Sequence, residues 1–140
     1  MFRLLRAVRR NREGSVAVEF ALFAPVIAVT LLTTADLGLV VYDRMKLTAG
    51  VRTATQYVMA GGSDSSVISQ LVDDASGLSA STATVIYCEC PDAPGTTVTC
   101  GSTCNNGDSE RIYRRIEADY TSTRILKSWP LTSQLDVRTQ

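Results

Sequence analysis

Between Gly14 and Tyr42 the chain reads GSVAVEFALFAPVIAVTLLTTADLGLVVY, and from Val16 to Tyr42 only Glu19 and Asp36 are charged. No other stretch restricts the fold as strongly. As a helix rising ~1.5 Å per residue, Val16 to Tyr42 reaches ~40 Å, more than the ~30 Å hydrocarbon core of a bilayer. The charge-free run from Phe20 to Ala35 is too short by itself. Glu19 and Asp36, however, lie ~25 Å apart along a helix axis, so each carboxylate can reach toward headgroup water near one interface. The stretch predicts one membrane-spanning helix that continues beyond the membrane. A chain of 140 residues holds too little other apolar material to bury a helix hydrophobic on every side.

The formal charge of zero hides an asymmetry. Residues 1–14 carry Arg3, Arg6, Arg9, Arg10 and Arg12 against Glu13, and the remainder is acidic by the same margin. A basic head before an apolar span places the N-terminus in the cytoplasm and the C-terminal part in the periplasm. The segment is too long for the apolar region of a secretory signal, and no small-x-small cleavage site follows it. No cysteine precedes Cys88, which excludes a lipoprotein. The chain has no histidine, and thus lacks the commonest general base and metal ligand. It shows no glycine-rich phosphate loop and no G-x-S-x-G. The expectation is therefore no enzyme, no cofactor, no metal, no nucleic acid and no small-molecule substrate.

Downstream, Leu47, Val51, Ala54 and Val58 form an apolar stripe at helical spacing, with Asp43, Arg44, Lys46 and Arg52 mostly elsewhere around the helix. The helix should stop at Gly61-Gly62. Ser63 to Gly77 reads as a second helix, capped by Ser63 or Asp64, with Val67, Ile68, Leu71 and Val72 as its apolar face. Asp73-Asp74 reads as a solvated face. From Ser81 the period becomes two. Ala83 to Cys88 and Arg111 to Ser122 read as strands, the second with Ile112, Ile116, Ala118 and Tyr120 on one face and Arg114 interrupting it. After a break at Trp129-Pro130, Leu131, Leu135 and Val137 suggest a third strand.

Between the first two strands lie Cys88, Cys90, Cys100 and Cys104. On the non-cytoplasmic side they predict two disulfides. Of the three pairings, the nested one, Cys90–Cys100 inside Cys88–Cys104, closes a hairpin-like loop across Pro94-Gly95. A zinc site is disfavoured by the tight C-x-C spacing and the missing histidine.

The junction Arg12-Glu13-Gly14-Ser15-Val16-Ala17-Val18-Glu19-Phe20 is the most specific motif. A glycine ending a basic leader, with glutamate and an aromatic residue following, resembles the prepilin peptidase site of type IV pilin-like proteins. With GSVAVEFALFAPV and Ala35-Asp36-Leu37-Gly38, the chain resembles TadE-like proteins, minor pilins or pseudopilins of the tight adherence (Tad/Flp) pilus system. The resemblance is strong from Gly14 to about Gly62 and looser through the cysteine-containing tail; Asp36 stands where these proteins more often have glutamate. It implies cleavage between Gly14 and Ser15 by a prepilin peptidase. It also implies insertion in the bacterial inner membrane among its lipids, and partnership with other Tad pilins and the assembly platform.

Cleavage would free an α-amine on Ser15. A carboxylate among apolar helices needs a cation, so Glu19 is a candidate register pin between subunits, with Phe20 and Asp36 as further assembly residues. Pro25 removes a backbone donor and predicts a kink or unwound turn near Ala21. The expected organisation is a leader at 1–14, a transmembrane helix at 15–42, its extramembrane continuation at 43–62, and a periplasmic α+β domain at 63–140. That domain is a small three-stranded antiparallel sheet tied by disulfides. The alternative function is an unprocessed single-pass membrane protein whose periplasmic domain binds a partner.

Overall fold

A computed structural model of the chain describes residues 14–139. The leader through Glu13 lies outside them. The elements are helix α1 (Gly14–Met59), helix α2 (Ser65–Ser76), and strands β1 (Ser81–Glu89), β2 (Thr97–Val98), β3 (Arg111–Thr123) and β4 (Ser128–Arg138). The class is α+β. The chain divides into two compact units, one up to Gly38 and one from Leu39 onward, with α1 contributing to both.

In the N-terminal unit α1 is helical without interruption, Pro25 included, so no turn is unwound there. Its Thr30, Thr33 and Thr34 hydroxyls donate to carbonyls three or four residues back, at 2.8 Å. Those side-chain donors are thereby satisfied within the helix, as an apolar solvent requires.

In the C-terminal unit one face of α1 and one face of α2 cover one face of the sheet. Leu47, Val51, Ala54 and Val58, the stripe expected from spacing, are all buried. They pack with Ile68 and Val72 of α2, Ile116 and Ala118 of β3, and Leu131 and Val137 of β4. Gly50 permits the close approach of the helices, because a Cβ there would stand 2.6 Å from the Val72 carbonyl oxygen. Asp64 caps α2 by accepting from the Ser66 amide at 2.8 Å and hydroxyl at 2.7 Å, which holds its carboxyl below the usual range. Gly77 ends α2 in the left-handed conformation at φ 62°. Asp73 is not simply solvated: its carboxylate accepts from the Ala80 amide at 3.0 Å and fixes the entry into β1.

The sheet is antiparallel in the order β2-β1-β3-β4, four strands where three were expected. The addition is β2, two residues long inside the cysteine loop and below the length that periodicity can reveal. A second difference concerns Trp129 and Pro130, which do not break the chain but belong to β4, opposite Ser122 and Thr121. β4 is an edge strand, where a residue without an N–H is tolerated. Arg114 does interrupt the apolar face of β3, and its guanidinium donates to the Ser63 carbonyl at 2.9 Å, tying the sheet to the turn after α1.

On the opposite face, Tyr87 and Tyr113 stack at 5.4 Å and the Arg115 guanidinium lies 5.0 Å over the Tyr87 ring. Arg115 also grips its cross-strand neighbour Asp136 through two bonds of 2.7 and 3.1 Å. Those bonds hold the Asp136 carboxyl below the usual range against a smaller opposing effect of burial. The Tyr87 phenol is pushed up, first by burial and then by the Asp136 charge.

Candidate functional site

Two places on α1 carry the residues singled out above. The first is the apolar segment. An 18-residue window of α1 has a mean hydropathy of 1.9 and is only 6% buried. The core helix of a soluble protein is mostly buried; this one presents Phe20, Leu22, Phe23, Val26, Leu31 and Leu32 at half exposure or more. Among the described residues it is the one helix long and apolar enough to cross a membrane.

Within this segment Gly14 and Ser15 begin the described helix. Glu19 and Phe20 are exposed one turn further along. Asp36 behaves differently from expectation: rather than extending outward it is buried, at 6% exposure. The structure does not gather Glu19, Phe20, Pro25 and Asp36 into a cavity; they are distributed along one rod.

The second place is where α1 enters the C-terminal unit. Asp43 lies four residues before Leu47 and so falls on the buried stripe, not on the polar side of the helix. Its carboxylate accepts from the Ser122 hydroxyl at 2.6 Å and pairs with the Arg124 guanidinium. Arg124 also donates to the Leu39 carbonyl at 3.3 Å. Two groups more than seventy-five residues away in sequence thus hold the end of the β3–β4 hairpin against α1. Periodicity alone missed Ser122 and Arg124. The available signal was Asp43's position on the Leu47–Val58 stripe, since a carboxylate there must find a partner.

All four cysteines are paired, which confirms two disulfides, but the bridges are Cys88–Cys100 and Cys90–Cys104, interleaved rather than nested. The register explains the correction. Cys88 faces Val98 and Glu89 faces Thr97. Cys90 therefore lies beyond the Thr97 end of the ladder while Cys100 lies beyond the Val98 end. Cys100 reaches Cys88 with a Cα–Cα distance of 5.3 Å, and Cys90 is left for Cys104 at 5.7 Å. Spacing cannot reveal this, because the register depends on a strand of two residues. The loop is further held by Glu89 and Glu110, whose carboxylates accept from the Gly95 and Gly101 amides.

These features define a class: an α+β protein with one membrane-capable helix followed by a short second helix and a disulfide-tied antiparallel sheet. Residues 14–56 match the family model described as TadE-like protein. The match lies wholly within α1, so the TadE-like resemblance is shown for the rod and its entry into the folded unit. No curated protein and no solved structure matches the chain.

Proposed function

We propose that the chain is a minor pilin or pseudopilin of the Tad pilus system, a structural subunit and not a catalyst. The observation that carries this reading is the coincidence of the TadE-like match with a helix that is apolar, exposed and nearly free of charge. In this reading a prepilin peptidase cuts after Gly14 on the cytoplasmic face of the inner membrane. Ser15 becomes the new N-terminus, and the C-terminal unit stands in the periplasm. The two disulfides suit that compartment.

Glu19 then has a definite task. It is exposed on the rod and lies one helical turn beyond Ser15, so a neighbouring subunit's freed α-amine is the cation that assembly can bring to it. The other pilus components and the assembly platform are the partners that family membership suggests.

N-terminal sequencing of the protein extracted from membranes tests the processing step: the expected first residue is Ser15. A mature chain that still carries Met1 through Gly14 overturns it. Glu19→Gln tests assembly separately. The variant should lose its leader normally yet be poorly recovered with pilus complexes, and equal recovery would remove the role assigned to Glu19.

A further inference from the structure

The end of the β3–β4 hairpin combines features that neither core packing nor the pilin reading uses. Ile125 and Leu126 occupy its turn at 82% and 58% exposure. The Arg124 amide donates to the Lys127 carbonyl across the turn, so the two apolar side chains are held out by a closed hairpin. Trp129 follows in β4 with the Lys127 ammonium 5.0 Å over its ring.

This turn is fixed at one level of α1, because Arg124 grips Asp43 and the Leu39 carbonyl and Ser122 grips Asp43. At that level α1 exposes Leu39, Val41 and Tyr42, the last apolar residues of the span, and Lys46 lies 4.8 Å over the Tyr42 ring. Two aromatic rings, each paired with a lysine, therefore stand beside exposed aliphatic side chains where the apolar run ends. Amphipathic aromatics with cationic neighbours are what a membrane interface selects: the ring lies at headgroup level and the ammonium reaches phosphate.

We infer that the β3–β4 turn is a second membrane contact, with Ile125 and Leu126 inserted below the headgroups and Trp129 and Lys127 seated among them. The occupant is the bilayer that α1 crosses, and the inference rests on that spanning reading. The buried Asp43–Arg124 pair sets the depth of the turn relative to the helix.

Trp129 is the only tryptophan in the chain and reports on this directly. The full chain is reconstituted into phosphatidylethanolamine/phosphatidylglycerol vesicles whose lipids are brominated either near the top or near the end of the acyl chains. The expected result is blue-shifted Trp129 emission, quenched strongly by the shallow bromines and weakly by the deep ones. Ile125→Ser/Leu126→Ser alters two exposed side chains and should shift the emission to the red and abolish the quenching, with both disulfides retained.

Val29→Trp in a Trp129→Phe background reports on the span alone and should be quenched by deep bromines. If it is, while Trp129 is quenched by neither lipid, the hairpin contact is overturned and the spanning helix stands. If Val29→Trp is not quenched, both readings fall. Blue-shifted Trp129 that is immune to bromine and responds to the protein-to-lipid ratio assigns the turn to a second copy, which also overturns the inference.

Discussion

The two halves of α1 are one continuous helix built for two different solvents. Up to Gly38 apolar side chains surround the axis and remain exposed, while beyond it Leu47, Val51, Ala54 and Val58 are confined to one buried stripe. The backbone hydrogen bonding is the same in both. What differs is where the apolar surface goes: into lipid in the proposed setting of the first half, and onto a sheet in the second. A helix apolar on every side belongs to a membrane or a deep core, and one with a single apolar face belongs at the surface of a domain.

Charge follows the same division. Glu19 is exposed on the rod, whereas Asp43 is buried and has Ser122 and Arg124 supplied by the fold. An isolated buried carboxylate is costly, so the fold supplies Asp43 with partners from β3 and the β3–β4 turn.

The sharpest way to break the contrast is reduction. The loop from Cys90 to Glu110 contributes no residue to the hydrophobic cluster, so its two bridges stand in for a core. Each closes a loop worth about 3 kcal/mol. Thermal melts of the reconstituted full chain should show a large drop in the transition of the C-terminal unit on reduction. The helical circular dichroism of the N-terminal half should persist, and chelator should change nothing.

Paired truncations come next. Leu47→Ala should destabilise the C-terminal unit by about 2–5 kcal/mol, since Leu47 is fully buried. Leu32→Ala, at a position 50% exposed, should leave the same melt unchanged. Equal effects would erase the distinction between the halves.

Arg124→Ala leaves the Asp43 carboxylate buried without its cation. The expected loss is roughly 2–3 kcal/mol, below the full cost of breaking a buried pair because the Arg124 side chain is 23% exposed. Adding Asp43→Leu should recover much of this loss in the same melt.

The smallest effect is in pH. Asp136 and Asp64 are held below their ordinary range by hydrogen bonds from Arg115 and Ser66, respectively. Groups depressed in the folded state stabilise it above their unfolded values and lose that contribution as pH falls through the folded values. The melting temperature should therefore decline below about pH 4. Asp136→Asn should flatten that decline, and an unchanged acid limb would show that the Arg115 pair contributes nothing.

Much of the fold was legible because period and punctuation are local properties. The Leu47–Val58 stripe, the Asp64 and Gly77 caps, and the alternation of Ile116 and Ala118 in β3 each follow from side-chain spacing along one element. The misreadings share a cause. β2 is too short to show a period, Pro130 discourages a strand except at an edge, and Asp43 looks like ordinary helix polarity until its partners arrive.

The order of residues alone determined that this chain carries a membrane-length apolar rod with a pilin-like junction, followed by helix, strands and a cysteine loop. These depend on hydrophobicity and backbone preference within a few residues. Only the tertiary structure decided that Cys88 joins Cys100, that Arg124 pairs with Asp43 and Ser122 donates to it, and that the β3–β4 turn is thereby tied to α1 at Leu39 and Asp43. Those outcomes depend on strand register and on contacts between distant segments, which no local pattern encodes.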